Sequence, residues 1–179
     1  MPTMRARHDP EDSGSGSDVG PWQGGNVTEP AAFVPADFDP PTGFAAGELR
    51  LEPLGPEHNE RDYAAWTSSM EHIRRSPGLQ DWDWPHEMSL DENRADLVRH
   101  ARDFVDRTGF TYTVLDSSDD VVGCVYIYPA RDGDHDANVR SWVRESEAAL
   151  DDSFRRAIAD WLTSDAWPFE RPRYVPLLT

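Results

Sequence analysis

Residues 110–162 read FTYTVLDSSDDVVGCVYIYPARDGDHDANVRSWVRESEAALDDSFRRAIADWL, and this stretch decides the fold. Phe110 to Leu115 and Val121 to Tyr128 alternate and are rich in β-branched and aromatic residues. The short polar link DSSDD between them predicts an antiparallel hairpin. After the acidic loop RDGDHD a third strand is expected over 137–144. In it Val139, Ser141 and Val143 face one way, and Arg140, Trp142 and Arg144 the other. Leu150, Phe154, Ile158 and Trp161 then space an amphipathic helix.

Upstream, GELRLEPLG around 47–55 reads as a first strand. Tyr63, Trp66, Met70 and Ile73 share one helical face, ended by Ser76-Pro77-Gly78. Ser89 and Glu92 form a capping-box pair before a second helix, whose stripe is Leu90, Leu97, Ala101, Phe104 and Val105. Arg99, His100, Arg102 and Arg107 suit its C-terminal end, and Gly109 its cap. RYVPLL near the C-terminus suggests one last strand.

Residues 1–28 are rich in Gly, Ser, Pro and acids, and are expected to form a disordered acidic tail. Residues 29–47 set Phe33, Phe38 and Phe44 among prolines, which reads as an extended arm packing its rings on a domain at 48–179. A domain of that size buries roughly 70% of its unfolded surface.

The net charge is −17, and every one of the 17 basic residues is Arg. Such a polyanion must overcome its own repulsion before neutralising phosphates, so nucleic acid is excluded as a partner. Cys124 is the only cysteine and is read as a buried structural residue. Its solitude, with no apolar leader and no membrane-length apolar run, points to a cytoplasmic protein that does not enter membranes.

Asp132, Asp134 and Asp136 alternate as in a calcium loop, but Ala137 and Val143 stand where the glycine and the terminal glutamate belong. His135 has no spaced His or Cys partner, so no metal site is assigned. Trp66, Trp82, Trp84, Pro85 and His86 form an aromatic patch at the entrance to the second helix, of the kind that walls a small-molecule pocket.

The order strand, helix, helix, hairpin, strand, helix, strand resembles the GNAT superfamily of acetyl-CoA-dependent N-acetyltransferases. The resemblance covers residues 48 to about 178 and is carried by FTYTVLDSSDDVVGCVYIYP, NVRSWVR and LDDSFRRAIADWL. It implies an α+β fold, with a mixed, mainly antiparallel sheet flanked by helices. It also implies acetyl-CoA as co-substrate, lying along the strand at Val139, Ser141, Trp142, Val143 and Arg144. The acceptor would be the amine of a small molecule or a protein. Asp136 or Glu145 would be the base, and Tyr126 could reach a cleft as an acid.

In that superfamily the pyrophosphate rests on a glycine-rich turn at the next helix N-terminus. Here the matching turn, Arg144 to Asp151, has no glycine, and Glu145, Glu147, Asp151 and Asp152 bring four carboxylates to it. This gives a second reading, a non-catalytic GNAT-like binding domain that has lost its pyrophosphate turn. Only 17 residues follow Leu162, too few for a further helix and two strands. The sheet edge left open is expected to be covered by the arm at 29–47 or by a second copy in a homodimer.

Overall fold

The hairpin at 110–129 forms the middle of a six-stranded sheet whose strands follow sequence order. The computed structural model describes residues 32–80 and 82–174. The segment expected to be a tail, 1–28, lies outside them. The strands are β1 (Phe44–Ala46), β2 (Leu49–Pro53), β3 (Phe110–Leu115), β4 (Val121–Pro129), β5 (Ala137–Val143) and β6 (Pro172–Tyr174). Neighbours pair antiparallel except β5 and β6, which are parallel. The helices are α1 (Asn59–Thr67), α2 (Met70–Arg75), α3 (Leu90–Asp106) and α4 (Asp151–Leu162). The architecture is thus α+β, with a mixed, mainly antiparallel sheet. Among the described residues, no helix is long and apolar enough to cross a membrane.

β3 is buried along its whole length because both sheet faces are covered. Phe110, Tyr112 and Val114 join Phe154, Ile158 and Trp161 of α4 in one core. Leu115, Cys124, Tyr126 and Trp142 join Trp66 of α1, Ile73 of α2 and Leu97 of α3 in the other. A bulge sets the phase: Val114 lies opposite Gly123 but Leu115 opposite Val121, so Val122 is the extra residue. Val122 therefore faces α4 while Val121 faces the opposite core.

Several expectations are corrected. The helical face Tyr63–Ile73 is carried by two helices, α1 and α2, broken at Ser68 and Ser69. The α3 cap is Arg107, in the left-handed region at φ 59°, and not Gly109. Gly109 has another role: a Cβ there would meet the Tyr128 ring at 2.2 Å. Leu90 and Val105, expected in the α3 stripe, are 38% and 79% exposed. The third strand of the sequence reading ends at Val143, and Arg144 begins the turn.

The edge question has a two-part answer. The arm supplies a short strand, β1, but it pairs with β2 at the far side of the sheet. The edge beside β5 is covered over 137–139 by β6. The arm's rings also pack where α4 lies. Phe44 stacks on Trp161 at 4.5 Å and Phe33 stands between Phe110 and Phe169.

Candidate functional site

A cavity of about 540 Å³ opens between α3, β4 and the loop 82–86. That loop is held by Arg74 Nε, which donates to Pro85 O at 2.9 Å, and by Tyr63, whose hydroxyl donates to Met88 O at 2.9 Å. Trp82 and Trp84 both lie edge-on to Tyr126, with centroids 5.7 and 6.3 Å away. Trp84 also packs on Trp142 of β5 at 5.9 Å, and the Arg140 guanidinium lies 4.7 Å over Trp82. Side chains of β5 thus pack against the cavity wall.

The polar side of the cavity comes from α3. His100 Nδ1 lies 2.9 Å from the Tyr128 hydroxyl and 3.1 Å from Thr111 Oγ1. The Tyr128 hydroxyl donates to Asp103 Oδ2 at 2.9 Å. Burial, helped by the Arg99 charge, pushes the His100 pKa down to about 4. Burial pushes the Tyr128 and Tyr126 phenols up. Asp96 lines the same cavity and pairs with Arg99 at 2.9 Å.

Of the residues singled out from the sequence, Tyr126 lines this cavity, and its hydroxyl accepts from Trp142 Nε1 at 3.2 Å. Asp136 stands just before β5, where its carboxylate accepts the backbone N–H groups of Glu170 (2.8 Å) and Arg171 (2.6 Å). These bonds hold its pKa below the usual carboxylate range. Glu145 lies beyond the other end of β5 and donates its N–H to Ser69 Oγ at 3.0 Å. A seven-residue strand spans ~23 Å, so Asp136 and Glu145 cannot serve one centre together.

Arg144 donates its backbone N–H to Val122 O at 2.7 Å. Its guanidinium lies 3.8 Å from Asp116 and 3.7 Å from Glu147. Backbone groups alternate sides along a strand, so that bond turns those of Trp142 and Arg140 toward β4 as well. Those of Val139, Ser141 and Val143 face the other edge. Val139 is met there by Tyr174 of β6; Ser141 and Val143 have no strand partner among the described residues. The Ser141 and Tyr174 hydroxyls bond to each other.

His100 and Tyr128 were not among the site residues expected from the sequence. His100 was assigned to the helix dipole, yet it lies three residues after Leu97 and four before Phe104, on the inward stripe.

No protein-family model matches the chain, and no curated protein matches it. Solved structures do. The ribosomal-protein-S5-alanine acetyltransferase from Vibrio fischeri is 14% identical with a TM-score of 0.52, over 69% of this chain and 68% of that one. A ribosomal L7/L12 alpha-N-protein acetyltransferase in complex with coenzyme A is 13% identical with a TM-score of 0.54, over 68% and 67%. An acetyltransferase from Salmonella typhimurium that modifies the N-terminal serine of L7/L12 is 12% identical with a TM-score of 0.51, over 65% and 64%. The match therefore spans about two thirds of each neighbour. At such identities the likeness is one of architecture, and by it the chain has the fold of the GNAT acetyltransferases.

Proposed function

We propose that this protein is an N-acetyltransferase that moves an acetyl group from acetyl-CoA to the amine of a small molecule or a protein. The observation that carries the reading is the outward edge of β5. Ser141 and Val143 present backbone groups there with no strand partner among the described residues, and Trp142 between them packs on Trp84 of the aromatic cavity. An extended pantetheine amide can pair with such an edge as a strand would. The neighbours that acetylate ribosomal proteins act on protein amines, which is why a protein acceptor stays beside the small-molecule one.

The chemistry asked of the chain is modest. The amine nitrogen bonds to the acetyl carbon, the carbon–sulfur bond breaks, and the thiolate of CoA leaves. A backbone N–H of the β5 edge steadies the developing oxyanion. The proton leaves the nitrogen for a carboxylate or water. Asp136 is committed to two backbone amides, and Glu145 stands on the turn that would meet the pyrophosphate, so water is the proposed proton acceptor.

A second reading, a GNAT-fold binding domain without catalysis, is favoured by one observation. Ser69 already takes the Glu145 N–H, one of the donors a pyrophosphate would use, on a turn that carries four carboxylates.

Calorimetric titration with acetyl-CoA separates the two. The transferase reading expects saturable binding that tightens in the double variant Glu145→Gln, Glu147→Gln and weakens in Arg144→Ala. No saturation at millimolar acetyl-CoA, in wild type and double variant alike, leaves the binding-domain reading.

A further inference from the structure

We infer that the cavity between α3, β4 and the Trp82–His86 loop binds a protonated amine on an aromatic or bulky apolar body, with His100 as its specificity-determining residue. The inference rests on the transferase reading only for the ligand's role as acetyl acceptor; the recognition chemistry stands by itself.

A tyrosine hydroxyl has one hydrogen, and that of Tyr128 goes to the Asp103 carboxylate. We assign the hydrogen of the 2.9 Å contact between the Tyr128 oxygen and His100 Nδ1 to the imidazole, with Thr111 Oγ1, 3.1 Å from Nδ1, as a second acceptor of that N–H and its own hydrogen turned to the Tyr128 oxygen at 3.5 Å. Neutral imidazole carries a single N–H, so Nε2 is left with a bare lone pair. Nε2 has no hydrogen-bond partner among the described residues, and His100 lines the cavity. Burial and the Arg99 charge keep the ring neutral through the physiological range, so it remains an acceptor there.

The rest of the lining agrees. Trp82, Trp84 and Tyr126 offer π-faces, which attract organic cations. Arg140 already shows that preference on one face of Trp82. The carboxylates of Asp83 and Asp96 stand against one guanidinium, Arg99. Other groups facing His100 are Asp103 on its own helix, Tyr126 and Tyr128 on β4, and His86 in the loop. A carboxylate ligand finds Arg99 as the one cation in the lining, already paired with Asp96. The volume of about 540 Å³ suits a ring with a short side chain.

The test compares three probes of one shape on the full chain: 2-phenylethylamine, 2-phenylethanol and 3-phenylpropanoate. Tryptophan fluorescence and calorimetry at pH 7 should show the amine binding about tenfold more tightly than the alcohol, and the acid not saturating. His100→Phe keeps a ring but removes the acceptor, and should narrow the preference of amine over alcohol severalfold, the aromatic faces and carboxylates holding the remainder. Nitrogen NMR of the wild-type histidines should find His100 neutral with hydrogen on Nδ1. Equal binding of amine and alcohol, no saturation by the amine, or hydrogen on Nε2 would each overturn the inference. Amine preference without acetyl-CoA binding keeps the inference and removes the transferase reading. Acetyl-CoA binding without amine preference does the reverse.

Discussion

The Ser69 hydroxyl oxygen lies 3.0 Å from the backbone nitrogen of Glu145, 76 residues away, and ties the α1–α2 break to the turn after β5. Ser69 is 3% exposed, so little water can replace the bond. Ser69→Ala leaves that N–H without its acceptor and should cost about 1–2 kcal/mol. Urea unfolding measures it, and an unchanged midpoint would show that the bond contributes nothing.

A buried carboxyl should make stability depend on pH. Asp62 lies under α3, where it accepts from Asn93 Nδ2 at 3.0 Å, and burial raises its pKa to about 6. Its folded pKa lies above the unfolded value of 3.8, so native Asp62 binds a proton first and stability rises as pH falls from about 6 toward 4. Asp62→Asn keeps an oxygen for Asn93 and removes the charge. It should add roughly 2 kcal/mol at pH 8, a gain that closes by pH 4. Chemical denaturation at the two pH values tests this.

His100 should act with the opposite sign. Its folded pKa of about 4 lies below the unfolded 6.5, so its contribution is present above pH 6.5 and is lost as pH falls toward 4. In wild type the two slopes oppose. Removing one group exposes the other: Asp62→Asn should lose stability between pH 6.5 and 4, and His100→Gln should gain it. Parallel pH profiles in the two variants would contradict both assignments.

Gly123 should tolerate no side chain. A Cβ there would meet the Trp142 carbonyl oxygen at 2.3 Å and Val143 Cα at 3.2 Å, both backbone atoms of β5. Gly123→Ala must push β5 from β4 and should cost at least 2–3 kcal/mol. A melting temperature within a degree or two of wild type would refute it.

The centre of the sheet was legible because local pattern and global burial agree there. Alternation in Phe110–Leu115 and the polar DSSDD link needed no distant partner to be read, and neither did the Ser89–Glu92 box, whose two bonds form at 3.2 and 2.7 Å. The break between α1 and α2 was invisible because Tyr63, Trp66, Met70 and Ile73 keep helical spacing across it. β1 is three residues long, too short for alternation to register. Arg107 takes a conformation that composition assigns to glycine. The cavity was only half legible: its tryptophans cluster in sequence, but His100 and Tyr128 meet through a hydrogen bond across 28 residues, which no periodicity encodes.

The stacking of Phe44 on Trp161 bears on how the chain must be made. The ribosome delivers the arm early and α4 late. At ~5–20 residues per second, the 117 residues from Ala45 to Trp161 take on the order of ten seconds to synthesise. Through that interval Phe33, Phe38 and Phe44 lack the Trp161, Trp167 and Phe169 rings that cover them in the finished fold. The nascent chain therefore carries these three rings without their covering partners until α4 and the segment after it have been made.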